Sequence, residues 1–308
     1  MNEACPVCLS TDSKLQGDYR GTHPAFLGMK RVRCLTCELI FATPMPSESA
    51  LQQFNASYFM TAHGGQPNSP VSSGFFTAIA RLRGAHLDRY LVNHATTVSR
   101  VLELGPGPGF FARNWLEHHP STIYTAIETD SSCHASLAKL GVRLVEDVAA
   151  HGARESVDLV VMSHVLEHVS NPVQFLSDST RNLRKGGALF IEVPCRDCEH
   201  KSMDEPHLLF FDKAPMQHLL VNLDFEDIEV SYHGQEIAKL RTPSRFNAKM
   251  MALRSRLISL GVVAPFGHMR QGMECIASQL ERAIVAPFLA HRESSTPAWW
   301  LRASAKKR

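Results

Sequence analysis

Between residues 100 and 232 the chain alternates short apolar runs with helical stretches, and this alternation constrains the fold more than any other feature. RVLEL (100–104) reads as a buried strand, and Phe110 to His118 as a helix. TIYTAIE (122–128) is a strand, Ser131 to Leu140 a helix and VRLVE (142–146) a strand. VDLVVMS (157–163) is a strongly apolar strand, and Pro172 to Arg184 a helix with proline in its first turn. KGG then leads into the strand ALFIEVP (188–194), followed by a helix over Lys213 to Asn222 and the strand FEDIEVSY (225–232). Strands and helices in turn predict a doubly wound α/β fold, a mostly parallel sheet with helices on both faces. In such sheets ligands sit at the carboxyl ends of the strands, where the strand order reverses.

The flanks divide the chain further. Residues 1–60 hold two Cys-x-x-Cys pairs on turn-rich sequence, then a short helix from near Ser47 through Leu51 and Phe54. Residues 61–74, small, polar and rich in Gly and Pro, read as a linker. The main domain spans 75–308 and opens with a helix whose Phe75, Phe76, Ile79, Leu82, Leu87, Tyr90 and Leu91 share one face. Residues 236–292 read as a helical insertion, and PAWWLRASAKK (297–307) as the last of seven strands. The basic tail from Arg302 to Arg308 reads as a solvated terminus.

Composition matters mainly for what it excludes. With 44% hydrophobic and 20% charged residues, a packed core is expected rather than disorder. The charge sum, 32 basic against 30 acidic, gives no support to a nucleic-acid surface. The opening MNEACPVC lacks a basic-then-apolar run, and no stretch approaches the roughly 18 apolar residues of a spanning helix. A cytoplasmic protein without membrane contact is the expectation. Its eight cysteines should then be thiols or metal ligands.

Directly after the first strand comes Leu102-Glu103-Leu104-Gly105-Pro106-Gly107-Pro108-Gly109-Phe110. Glycines let the backbone turn tightly and approach a ligand, and the free N–H groups of the following helix face the same space. The offset reading Gly107-x-Gly109-x-x-Ala112 also satisfies a loose dinucleotide fingerprint. Glu128 ends the second strand 19 residues after Gly109, where a carboxylate can accept from two ribose hydroxyls. Asp147, after the third strand, suits either an adenine amino group or a helix N-cap.

The run LELGPGPGFF, AIE, VED, DLVVMSHVLEHVSNP and LRKGGALFIEVP, over roughly residues 98 to 232, resembles the class I S-adenosylmethionine-dependent methyltransferases. By that resemblance Gly105, Gly107 and Gly109 would line the methionine part of S-adenosylmethionine, and Glu103 would help hold its amino group. Glu128 would bind the ribose, Asp147 would sit at the adenine, and Ser163 and His164 would lie beside cofactor and substrate. The resemblance also implies an antiparallel final strand. As candidate general bases it brings forward His207 in EPHLLFFD first and His168 in LEHV second, with Glu205 and His200 behind them.

Cys5-Pro-Val-Cys8 and Cys34-Leu-Thr-Cys37 stand 25 residues apart. Two such pairs complete a tetrahedral site, so a structural Zn2+ on Cys5, Cys8, Cys34 and Cys37 is expected, with no position open for catalysis. CPVC, CLTCELIFATPMPS and the Tyr58-Phe59 pair resemble the methyltransferase subgroup with an N-terminal zinc-binding motif, which includes sugar C-methyltransferases and enzymes of polysaccharide and natural-product pathways. The implied partner is a small-molecule methyl acceptor; O-, N- and C-methylation all stay open, as does oligomeric state. Two rivals stand beside it: a ribosomal RNA methyltransferase with a zinc motif, and a non-catalytic scaffold that binds S-adenosylmethionine. A third pair, Cys195 and Cys198 with His200 and His207 nearby, reads as a substrate-side loop or as a second metal site.

Overall fold

The computed structural model describes residues 3–56, 70–148, 155–241, 249 and 293–308. Strands β1 (Ser13–Asp18), β2 (Lys30–Cys34) and β3 (Ile40–Thr43) form an antiparallel N-terminal sheet, followed by helix α1 (Glu48–Ala56). Helix α2 (Pro70–Asn93) then starts inside the stretch expected to be linker. The rest of that expected linker, the Tyr58-Phe59 pair and most of the expected insertion lie outside the described residues.

The alternation then unfolds as β4 (Arg100–Leu104), α3 (Phe110–His118), β5 (Ile123–Ile127), α4 (His134–Lys139) and β6 (Arg143–Leu144). It continues through β7 (Val157–Ser163), α5 (Pro172–Ser179), β8 (Leu183–Pro194), β9 (Leu209–Phe210), α6 (Lys213–Asn222), β10 (Phe225–Glu236) and α7 (Ile237–Arg241). The chain closes with β11 (Glu293–Ser294) and β12 (Ala298–Lys307).

Among the described residues the central sheet has eight strands in the order β11-β10-β12-β8-β7-β4-β5-β6. Strands β8, β7, β4, β5 and β6 pair in parallel, while β12 inserts antiparallel between β8 and β10. The seven expected strands are all present; the eighth is the two-residue β11 against the far end of β10. Strand β7 is buried over its first six residues, the continuous apolar run that a strand covered on both faces requires. One face packs on α2, α3 and α4 through Leu87, Tyr90, Phe111, Trp115 and Leu137. The other packs on α5 and α6, and the same apolar cluster runs on into the N-terminal sheet through Phe26, Leu39 and Phe41.

Two boundaries differ from expectation for local reasons. Helix α5 ends at Ser179, not Arg184, with the Thr180 hydroxyl turned back onto the Leu176 carbonyl at 2.7 Å. Strand β8 begins at Leu183, so KGG lies within a strand: Val157 pairs with Leu183 but Leu159 with Ala188, and the extra residues form a bulge. A Cβ at Gly187 would stand 2.7 Å from Leu183 Cδ1 and 2.9 Å from the Arg184 carbonyl. No helix among the described residues is long and apolar enough to cross a membrane.

Candidate functional site

The carboxyl ends of β4, β5, β7 and β8 open into one cavity of about 780 Å³. Its floor is the glycine loop. Gly105 has φ +64° and a Cβ there would stand 2.7 Å from Val165 Cγ2; Gly109 has φ +86° and a Cβ would meet Leu137 and Leu140 at 2.8 Å. Only glycine satisfies both the left-handed backbone and the close approach. Gly107 has open space where its Cβ would be, so the loop presents bare backbone to the cavity.

Two carboxylates border this floor. Glu128 accepts from the Gly107 N–H through Oε2 and from the Asp130 N–H through Oε1, both at 2.8 Å, which ties the loop to the end of β5. Glu103 is 2% exposed and accepts from the Tyr124 hydroxyl at 2.7 Å. Burial pushes its carboxyl up to about 7 against the pull of Tyr124 and Arg83. Asp147 is exposed and does not border the cavity; Thr129, Asp130 and Cys133 hold that side instead. Strand β6 is only two residues long, and Asp147 lies beyond its end.

The opposite wall is built from histidines and buried acids. Ser163 ends β7, with its Oγ buried and without a hydrogen-bond partner. His164 follows with φ +58°, its Nδ1 3.3 Å from Glu167 and its Nε2 3.4 Å from Glu192. Burial works against its charge, but the two carboxylates together hold its pKa above the ordinary value. Glu192, fully buried at the end of β8, accepts from Arg83 of α2 at 2.7 Å and from Arg302 of β12 at 2.6 Å. These guanidinium groups hold its carboxyl well below the usual range in spite of burial.

Arg302 is therefore no solvated tail residue. It is 2% exposed, and Lys307 Nζ likewise donates to the Thr180 and Leu183 carbonyls at 2.8 and 2.9 Å. The expectation missed this because a basic run at a terminus gives no local sign of an acid waiting beneath it on β8.

His168 and His207 meet beyond Glu167, their ring centroids 4.9 Å apart and nearly perpendicular. His207 is fixed by Asp197, whose carboxylate lies 2.7 Å from Nδ1 and 2.8 Å from Lys201 Nζ. Burial opposes that negative charge, but His207 and Lys201 keep the Asp197 carboxyl far below its ordinary value. Burial lowers His168 to about 4. His200, Lys201, Trp299 and Trp300 complete the rim, whereas Glu205 faces away and accepts from the Thr22 and His23 N–H groups at 2.7 and 3.0 Å.

A model of the family described as methyltransferase domain matches residues 77–230, half of the 308 residues. The chain belongs to the methyltransferase domain family. A probable S-adenosylmethionine-dependent methyltransferase of Mycolicibacterium smegmatis is 34% identical over 91 residues, covering 28% of this chain and 35% of that protein. A ubiquinone biosynthesis O-methyltransferase of Parvibaculum lavamentivorans is 38% identical over 98 residues, 30% of this chain and 39% of that protein. The chain thus spans under two fifths of either curated relative. Among solved structures, a methyltransferase of Thermotoga maritima described as a possible histamine N-methyltransferase aligns with 16% identity over 84% of this chain and 99% of that one, with a TM-score of 0.47.

The N-terminal sheet packs against β9 and the loop that carries His207, a contact with no signature in the sequence. Strand β3 pairs with β9, Ile40 against Phe210 and Phe41 against Leu209, and the Ala42 N–H donates to the Leu208 carbonyl at 2.8 Å. Arg20 grips the loop ahead of it: its guanidinium reaches Asp204 at 2.5 Å and the Cys198 and Lys201 carbonyls at 2.6 and 2.7 Å. The Tyr19 hydroxyl donates to the His207 carbonyl at 3.1 Å.

The same unit brings together Cys5, Cys8, Cys34 and Cys37, their sulfurs all within 4.8 Å of one another. Cys5 and Cys37 stand 3.5 Å apart, and Cys8 and Cys34 3.4 Å. Sulfurs on a tetrahedral zinc with bonds of about 2.3 Å lie about 3.8 Å apart, so the donor set fits that ion. Cys195 and Cys198 are buried, and burial raises both thiols; neither belongs to a metal-sized cluster among the described residues.

Proposed function

We propose that this chain transfers a methyl group from S-adenosylmethionine to a small-molecule acceptor, such as a sugar, a polysaccharide precursor or a natural-product intermediate. The observation that carries the reading is the single cavity in which a bare glycine loop and two carboxylates face a buried histidine–carboxylate pair. When bound, the cofactor supplies an activated methyl carbon, and the protein has to align donor and acceptor.

Gly105, Gly107 and Gly109 line the methionine portion, Glu103 takes its ammonium, and Glu128 exchanges its bond to the Gly107 N–H for the ribose hydroxyls. Ser163 and His164 border the cofactor on the side of β7. Asp130 is a better placed neighbour for the far end of the nucleoside than Asp147, since it borders the cavity. On the acceptor side Asp197 holds His207 Nδ1, which leaves Nε2 to face an acceptor hydroxyl and take its proton as the oxygen receives the methyl group. His168 is the second candidate, packed against the same ring. Trp299 and Trp300 shield the reacting atoms from water.

A zinc ion on Cys5, Cys8, Cys34 and Cys37 is read as structural, holding the sheet that backs the His207 loop. Cytoplasmic location belongs to the same reading. The test is methyl transfer from radiolabelled S-adenosylmethionine to a panel of hydroxylated and amino acceptors, with His207→Gln as control. Transfer that falls by about 10²-fold or more in the variant supports the reading. Cofactor binding without transfer to any acceptor would favour a scaffold.

A further inference from the structure

Glu167 is 1% exposed, and neither of its carboxylate oxygens has a hydrogen-bond partner. A buried carboxylate in that condition costs several kcal/mol unless a positive charge faces it. What faces it is imidazole: His164 Nδ1 at 3.3 Å and His168 Nε2 at 3.8 Å. One oxygen of Glu167 and one nitrogen each of His168 and His207 all lie within 4.8 Å of one another. Asp197, bound to Nδ1 of His207, fixes that ring as outer-shell carboxylates fix metal-ligating histidines.

We propose that Glu167, His168 and His207 form a binding site for a divalent transition-metal cation, with Asp197 as its outer-shell partner. Two imidazoles and one carboxylate suit Zn2+, Fe2+ or Co2+ and leave coordination positions open. Ligand atoms about 2.1 Å from one ion stand about 3 to 3.5 Å apart, so small side-chain rotations close the set around it. Glu167, His168 and His207 all line the cavity that also borders the glycine loop, so an ion held by them would be within reach of a molecule bound there.

The use of the site rests on the methyltransferase reading. An acceptor hydroxyl that binds the cation would lose its proton to water more readily; as its oxygen bonds to the methyl carbon, the carbon–sulfur bond breaks, its electron pair stays on sulfur and S-adenosylhomocysteine leaves. In that state His207 Nε2 is a ligand and not the proton acceptor. The acceptor class is therefore one with an oxygen able to bind a cation.

Cobalt tests the site without an acceptor. Zinc-replete full-length protein is titrated with Co2+ and followed by visible absorption, and S-adenosylmethionine binding is measured on the same sample. The expected result is one saturable equivalent with d–d bands and no thiolate charge-transfer band, weakened at least tenfold in both Glu167→Gln and His207→Gln. A thiolate signature alone, no saturation up to millimolar Co2+, or equal binding in a folded variant would overturn the proposal. Cobalt bound without S-adenosylmethionine would sink the functional reading and leave the metal site standing; the reverse would sink only the metal site.

Discussion

Glu103 sets a pH dependence that can be worked out from its surroundings. Its carboxyl loses a proton near 4.5 in an unfolded chain and near 7 in the folded one. Between those values the folded chain holds the extra proton, so stability falls as pH rises. At about 1.4 kcal/mol per pH unit the whole effect is about 3 kcal/mol, of which about 2 kcal/mol is lost between pH 5.5 and 8. His86 and His233, lowered by burial to about 4 and about 2, act in the opposite direction below their ordinary value of 6.5. The quantity to read is therefore the difference between wild type and Glu103→Gln, which keeps an acceptor for the Tyr124 hydroxyl. Urea unfolding at both pH values should show the variant gaining about 2 kcal/mol on wild type at pH 8 relative to pH 5.5. If the two proteins change in parallel, to within about 0.5 kcal/mol, Glu103 does not hold a proton in the folded state and the burial argument is refuted.

Three other perturbations follow from single contacts. Arg20→Ala leaves the buried Asp204 carboxylate with Arg31 at 3.4 Å as its remaining cation; we expect a loss of about 2 kcal/mol in urea unfolding, with faster amide exchange over residues 204–211. Arg20→Lys should not restore it, because one ammonium cannot reach Asp204 and two carbonyls together. Cys34→Ser should lower zinc from about one per chain to well below that by elemental analysis, and lower the thermal midpoint with it. Gly109→Ala places a methyl group 2.8 Å from two leucines at φ +86°, so circular dichroism melting should show a loss of about 2 kcal/mol or more.

The central sheet was legible because its information is local. RVLEL followed by a glycine run and an amphipathic stretch states a strand, a tight turn and a helix, and α3 falls on Phe110–His118 as expected. The four cysteines were legible for the same reason, since paired spacing brings two thiols to one point. What escaped was long-range. Strand β9 is two residues long and exists because β3 lies beside it, about 170 residues earlier in the chain. Arg302 and Glu192 find each other only through the antiparallel insertion of β12. KGG carried a turn signal, but the register of β7 against β8 made it a bulge. The strand expected over 142–146 is only Arg143–Leu144, so Asp147 lies beyond its end.

The most direct measurement is calorimetric titration of S-adenosylmethionine into wild type and Glu128→Ala, with zinc measured on the same samples. We expect micromolar-range binding to wild type that weakens by about a hundredfold, or about 3 kcal/mol, when the carboxylate is removed. No heat with the intact, zinc-loaded wild type, or equal affinity in the variant, would contradict the assignment of this cavity to the cofactor.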